Sequence, residues 1–509
     1  MMAGAVAGLA IGVAGTASAQ SASDQIRAQQ AQIDYMKRQI DLMQQKLQDL
    51  QTTTQATQQA ATATAAAVAK VTPPAGKKGI QVGAVTITPG GFIDGDFLYR
   101  NKNMTSDTNT KFNSIPFGNS SNDHVDETRF SARQSRLSLL ATTDVDSSTH
   151  LTAYYEMDFQ GASNTSNSNQ SNSYEPRIRN IYATVDWDDI GLHLLAGQSW
   201  SLATLNSKGI SPRNEVTPIG IDQAYVPGFT YTRAPGFRVT KDLLDKTLWL
   251  AASVEQPQTT TTGTAPSGTG TLVTNTGGTY FDADTGGPSY SIDAAPDFIA
   301  KVAWEPGFGH YELYGIASFA RDRVNFVNHT QIDGAVGFGV NLPVLPKLLD
   351  FQVTGQVGQG EGRYSAGQLP DVTFGANGSI HPLTDYNVLV GLVGHPTPAF
   401  DVYGFAGLEH ADRWYQNVKV GAATTQYGYG DPLANNTGCN IEGGTCTANT
   451  RDLMGLTTGF WWKFYQGDFG SARWGAQYEY VARNVWPGAG GGGTADNNIV
   501  MTAFRFYPF

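Results

Sequence analysis

The sequence predicts an all-β fold, a 16-stranded antiparallel transmembrane β-barrel carrying an N-terminal periplasmic coiled-coil helix. Three observations predict it: a Gly-rich, aromatic-rich, charge-poor composition; apolar alternation of period two along most of the chain; and connections that are short at one end of the strands and long at the other. Charged residues are 15% of the 509, with 58 Gly and 11% aromatics, whereas a soluble domain carries about 25% charged residues. Mean hydropathy is -0.27, and after the first twenty residues no run of about eighteen apolar residues occurs, so a bundle of membrane helices is excluded. A barrel that is apolar outside and polar inside suits these totals. The net charge of -11 argues against a nucleic-acid partner, which requires a basic patch.

The N-terminal 84 residues divide into three. Residues 1–19 are expected to be a signal peptide: the apolar run AGAVAGLAIGVAGTASA ends in Ala17-Ser18-Ala19 before Gln20, a small-residue cleavage pattern. No Lys or Arg precedes that run, and a buried N-terminal helix is the alternative. Residues 20–53 are expected to form the coiled coil. Ile26, Ile33, Ile40 and Leu47 recur every seven residues, with Met36, Met43 and Leu50 three positions behind. An isolated helix of this length is marginal in water, so its apolar seam needs a partner; an amphipathic helix lying on the barrel is the alternative. Residues 54–84 are expected to be linker, since Pro73-Pro74 ends any helix and Lys77, Lys78 and Gly79 follow.

Residues 85–509 are expected to form the barrel. In LTAYYEMDF (151–159), Leu151, Ala153, Tyr155, Met157 and Phe159 face one way and Thr152, Tyr154, Glu156 and Asp158 the other. Residues 472–482 alternate likewise, because successive strand side chains point to opposite faces. Sixteen such segments fall near 89–100, 127–143, 148–160, 174–188, 190–199, 228–240, 246–255, 296–304, 308–320, 327–340, 350–358, 382–394, 399–411, 451–464, 468–481 and 497–509. Links after even-numbered segments are short, as at 144–147, 305–307 and 396–398. Most links after odd-numbered segments are long, as at 101–126, 200–227, 256–295 and 412–450. That division between rims is the layout of outer-membrane barrels, and closure removes the sheet edges that a bilayer cannot solvate. The lipid bilayer and lipopolysaccharide are therefore expected partners. Sixteen strands leave an aqueous lumen, and the chain ends in an aromatic-rich strand closing on Phe509.

Charged side chains on strand faces are the candidate lumen residues. The second segment carries Arg129, Arg133 and Arg136, of which Arg136 either needs a bulge to join the other two or lies near a rim. The fourth carries Arg177 and Arg179, two apart and so on one face. Arg233 and Arg238 lie in the sixth, and Lys301 and Arg473 alternate inward elsewhere. Glu156, Asp158, Glu312, Asp401 and Glu409 are expected to face them across the pore. Rows of Arg select anions, and the planar guanidinium binds both oxygens of a carboxylate. The competing expectation is that these Arg residues pair with the acids and stiffen the wall. The moderately apolar loop 200–227 either enters the lumen, where Lys208 and Arg213 meet solute, or packs outside.

Cys439 and Cys446 are expected to form a disulfide in an exported chain with two cysteines. Asp282 and Asp284 lack the remaining ligands of a calcium loop, so no metal or cofactor is expected. The eight His are scattered, and neither a G-x-S-x-G elbow nor an H-E-x-x-H pair occurs; an enzyme is not expected. A membrane-barrel hydrolase with a spatially assembled Ser-His pair and a cell-wall-tethering barrel are the alternatives.

The ordered set GGFIDGDFLYR (90–100), SARQSRLSL (131–139), RIRNIYATVDW followed by LLAGQSWS, the heptad segment and the terminal Phe resembles the DcaP-like trimeric outer-membrane porins of Gram-negative bacteria. The resemblance covers most of the chain. It implies a homotrimer of sixteen-stranded barrels, N-terminal helices in a periplasmic coiled coil, and passive uptake of small anionic solutes such as dicarboxylic and aromatic acids. The basic constriction it implies falls on Arg133, Arg136, Arg177 and Arg179.

Overall fold

The computed structural model describes residues 79–509 apart from 105, 162–174, 223–224, 272 and 274–289, together with residues 30, 34, 37, 41–42, 44–46 and 48. The expected signal peptide, every apolar position of the expected coiled-coil seam, most of the linker, and Asp282 and Asp284 lie outside the described residues; the described positions between 30 and 48 are helical and exposed. Two units separate at Met1–Gly76 and Lys77–Phe509. The second is the barrel.

Its strands are β1 (Val85–Arg100), β2 (Glu127–Ser131 continued by Arg136–Asp144), β3 (Thr149–Gly161), β4 (Glu175–Trp187), β5 (Leu192–Trp200), β6 (Arg233–Leu243), β7 (Leu248–Glu255), β8 (Asp297–Trp304), β9 (His310–Val324), β10 (Val327–Leu345), β11 (Leu349–Gln359), β12 (Thr384–Thr397), β13 (Phe400–Ala411), β14 (Thr450–Gly467), β15 (Gly470–Val485) and β16 (Thr494–Tyr507). Each pairs antiparallel with the next, and β16 pairs with β1 from Ile93↔Phe506 to Arg100↔Ile499, closing a sixteen-stranded cylinder. A short strand, Ile80–Val82, folds back on the start of β1.

Three expected boundaries are corrected. The sixth strand begins at Arg233, not 228, because residues 228–232 belong to a loop that folds inward. Strands β9 and β10 run on to a two-residue turn, Asn325-Phe326, where both residues take positive φ (46 and 69°), the conformation whose twist matches a tight hairpin. The expected link 341–349 is largely strand, since β10 extends to Leu345.

Side-chain parity follows the bilayer. Outward positions include Leu250, Leu313, Val336, Trp462, Trp474 and Phe504, all more than a third exposed, as a wall solvated by acyl chains requires. Inward positions are polar: Asp94, Asp96 and Arg100 on β1, Gln477 and Glu479 on β15, Asn497 and Arg505 on β16. Many are paired. Arg505 meets Asp94 at 3.0 Å with both side chains fully buried, and Arg100 meets Glu127 at 3.0 Å. Breaking such a pair by removing one partner costs about 3–5 kcal/mol.

Histidines organise the short-turn rim. His150 lies between Asp144 (2.7 Å) and Asp188 (3.4 Å), and His193 between Asp186 (2.8 Å) and Asp242 (3.0 Å). His310 sits between Glu305 and Glu312, both at 2.9 Å, and His395 between Asp401 (2.7 Å) and Asp350 (3.5 Å). Each of these imidazoles thus bridges two carboxylates at the ends of the strands or in the turns that join them.

Candidate functional site

Two long loops fill much of the cylinder. The loop between β5 and β6, residues 201–232, carries Leu202, Leu205, Ile210, Ile221, Val226 and Phe229, each at most 2% exposed. An external loop has no place for so many apolar side chains; here they pack on Tyr314, Leu389, Tyr403, Phe405 and Trp461 of the inner wall. Wall carboxylates and amides hold its backbone. The N–H of Leu202 donates to Glu255 (2.8 Å), Asn206 to Glu312 (3.1 Å), Ile221 to Gln477 (2.7 Å) and Gly228 to Glu409 (2.8 Å). Lys301 Nζ donates to the Thr204 carbonyl at 2.7 Å, and Trp461 Nε1 to that of Ile219 at 2.8 Å. Of the two positions left open for this loop, the structure selects the lumen.

Glycines make the seat. A β-carbon at Gly407 would lie 1.6 Å from the Pro227 carbonyl oxygen, and one at Gly455 would lie 2.6 Å from the Pro227 ring. The loop between β11 and β12, residues 360–383, locks the arrangement from beside it. Tyr231 N–H donates to the Tyr364 carbonyl, and Ala366 N–H to that of Phe229, both at 2.9 Å. Arg363 anchors this second loop by pairing with Asp297, Glu361 (3.2 Å) and Asp371 (3.3 Å). The sequence offered a signal for it, Tyr364, Leu369, Val372 and Phe374 amid polar residues, that the reading by strand period passed over.

The opposite wall is basic. Two bulges aim it. From Phe92 to Asp96 β1 advances four residues, while its partners on β2, Arg136 and Ser131, are five apart. That extra residue turns Arg136 inward. On β4, Ile178 pairs with Met157 and Asn180 with Glu156, so Arg179 is the additional residue. Phe92, Arg136, Asp158 and Arg177 then form one cross-strand row.

Each expected lumen residue has a definite place. Arg129 pairs with Glu127 at 2.8 Å, and Arg133 with Asp107 at 2.9 Å. Arg177 binds Asp158 at 2.7 Å; Arg179 reaches Glu156 (2.7 Å) and Asp158 (2.9 Å). Arg136 lies over the Phe92 ring, 5.4 Å from its centre. Arg233 lies over Trp200 at 5.0 Å and Tyr231 at 5.4 Å. Arg473 stands apart on β15, stacked on Trp461 and Tyr507.

The expected facing of acids and bases is corrected. Glu156 and Asp158 sit within the basic wall, bound to the Arg residues they were expected to confront, and Lys301 pairs with Glu312 on the adjoining strand at 2.7 Å. Cross-strand neighbours are closer than opposite walls, so charges on β2, β3 and β4 neutralise locally. Asp401 serves the rim, held by His395 and by Lys463 at 2.7 Å; Glu409 serves the two loops through the Gly228 and Gly367 amides.

Neutralisation is incomplete. Among the described residues, Arg136, Arg177, Arg179 and Arg233 gather around two carboxylates, Glu156 and Asp158, with Glu215 in the wall of the adjoining cavity. Their field shows on the loop residue Tyr231. Burial pushes its phenol up, yet Arg233, Arg177 and Arg179 outweigh burial and hold it below the usual phenol range. A cavity of about 200 Å³ opens beside this cluster, lined by Arg136, Glu156, Arg179, Arg213, Tyr154 and Trp200 among others. A second, of about 350 Å³, lies toward the short-turn rim against Thr152, Thr184 and Asp186. Cys439 and Cys446 are joined by a disulfide in the loop before β14.

A closed sixteen-stranded barrel with an apolar outer wall, segregated loops and an inward-folded constricting loop defines a porin-like outer-membrane channel fold. Among solved structures, the chain is similar to the outer membrane channel DcaP of Acinetobacter baumannii. The TM-score is 0.59 at 17% identity, over 84% of this chain and all of that one. The resemblance drawn from the sequence motifs thus meets the same fold in the structure. More distant likenesses are OmpT, an outer membrane protein of Vibrio cholerae (TM-score 0.43, 10% identity, 85% of this chain and 100% of that), and an anion-selective porin from Comamonas acidovorans (0.43, 10%, 83% and 99%). No family model and no curated protein sequence matches the chain.

The glycine seat is directly testable. Gly407→Val should force Pro227 off the wall and toward the cavities on the arginine side, since overpacking shifts backbone, and lower single-channel conductance roughly twofold. Wild-type conductance from a barrel that still migrates in heat-modifiable form would contradict the seating.

Proposed function

We propose that this chain is an outer-membrane porin through which small anionic solutes, carboxylates and dicarboxylates, diffuse passively along an Arg-lined passage. The observation that carries the proposal is the excess of guanidinium over carboxylate at Arg136, Arg177, Arg179 and Arg233, placed where residues 201–232 narrow the lumen. Charges at a constriction act on every permeating ion, and fixed cations in a low-dielectric tube attract anions and repel cations. Those that also bind carboxylates in the wall keep a fixed orientation. Trp200, Tyr154 and Tyr231 flank them with apolar surface against which the carbon skeleton of an organic acid rests.

We place the protein in the outer membrane as a homotrimer in contact with lipid and lipopolysaccharide, its N-terminal helices in a periplasmic coiled coil after removal of residues 1–19. Beside the motif resemblance, one feature of the wall supports the oligomer. Ala141, Ala153, Ala183 and Ala196 form a cross-strand row on the outer face of β2–β5, a flat strip that admits close approach. The outer faces of β12–β16 instead carry Tyr386, Trp462, Trp474, Tyr478 and Phe504, side chains suited to lipid and its interfaces.

Replacing Arg177 and Arg179 by Ala should reduce anion preference; reversal potentials in a salt gradient that do not move would count against their role in the passage. As pH rises, Tyr231 should ionise before ordinary tyrosines, which titrate near about 10, and its phenolate should diminish the anion preference. Tyr231→Phe should remove that early alkaline decline, and an identical pH profile would refute the assignment. Sedimentation in detergent should report three chains per particle; a monomer mass would exclude the trimer.

A further inference from the structure

We infer that Arg213 is the selectivity-determining residue of the passage, standing at the junction of its two chambers; the inference rests on the anion-channel proposal above. Three observations converge on this side chain. Among the described residues, it is the one that lines both the 200 Å³ cavity and the 350 Å³ cavity. It is exposed, and no described carboxylate pairs with it, in contrast to Arg177 and Arg179. Its backbone holds a φ of 70°, a left-handed conformation that residues other than glycine rarely keep without a reason in the surrounding structure.

That surrounding structure is a turn built to present it. An Asn206–Glu215 bridge closes the base. Ser207 N–H donates to the Asn214 carbonyl at 2.7 Å, and Asn214 Nδ2 to Ser211 Oγ at 2.9 Å. The base is tied to β9 and the turn before it, through Asn206 N–H to Glu312 (3.1 Å) and through a hydrogen bond from Gly209 N–H to Glu305. The tip reaches β3 on the basic wall, where the guanidinium lies 5.8 Å from the centre of the Tyr154 ring. Residues 206–215 therefore form a strut, fixed at one wall and holding a cation at the other. Wall arginines spend much of their charge on Glu156 and Asp158; Arg213 presents its charge to the solute path. An anion leaving the Arg136–Arg179 chamber passes next to this guanidinium, and a cation entering from the rim meets it first.

Reversal potentials of the reconstituted full chain in a potassium chloride gradient test the inference. Heat-modifiable migration first establishes that each variant has folded. Arg213→Gly retains the left-handed backbone and should lower the chloride-to-potassium permeability ratio about threefold, and Arg213→Glu should lower it further. Lys208→Ala removes an exposed charge from the same turn that lines neither chamber, and should leave the ratio unchanged. If both Arg213 variants keep the wild-type ratio while Arg136→Gln lowers it, the inference fails and the anion-channel proposal stands. An equal loss in Lys208→Ala also overturns it, because the effect would then belong to loop charge in general. A wild-type protein without chloride preference overturns the anion-channel proposal itself, and the inference with it.

Discussion

Hydrocarbon offers no hydrogen-bond partner to a peptide group, and everything in this molecule depends on meeting that constraint. The ladder must close, and it does so through β16 and β1, from Ile93↔Phe506 to Arg100↔Ile499. Once closed, side-chain parity is no longer free. One set of alternate positions faces lipid and is apolar; the other faces the interior and carries the charges. Among the register shifts of the ladder, those at Ala132–Ser135 and Arg179 deliver arginine to the basic wall.

The interior is organised by charge pairing as much as by packing. Buried pairs such as Arg505–Asp94 and Lys301–Glu312 fasten neighbouring strands, while Glu255, Glu312 and Glu409 reach inward to backbone amides of residues 201–232. Carboxylates thus act as hooks for the loop, and the glycines at 407 and 455 leave the space it occupies. The consequence is an interior partly occupied by the loop, with cavities on the arginine side.

Strand number, order and rim assignment could be read in the sequence because period-two alternation is a local property, visible in Leu151–Phe159 or Ala472–Ala482 without knowing any partner. The interior could not be read so fully. Whether residues 201–232 lay inside or outside depended on Gly407, Gly455 and Glu409, some 180 residues or more away in sequence, and nothing local announces that contact. The pairing of Arg177 and Arg179 with Asp158 and Glu156 depended on register between β3 and β4, which a bulge shifts. Arg213 was visible as a candidate only on the condition that its loop turned inward. Arg100 and Arg505 escaped notice as charge centres because their partners lie on other strands, and Arg363 because it lies in a loop without strand period. Alternation had marked the segments that carry Arg100 and Arg505, without marking those residues as charge centres.

Backbone amide exchange of the full chain in lipid bilayers tests closure of the cylinder most directly. The amides of Ile93–Arg100 and Ile499–Phe506 that bridge β1 and β16 should be as protected as those joining β12 and β13 in the middle of the wall. Exchange along that junction at the rate of the exposed loops would mean an open sheet edge, and the inside and outside described above would lose their meaning.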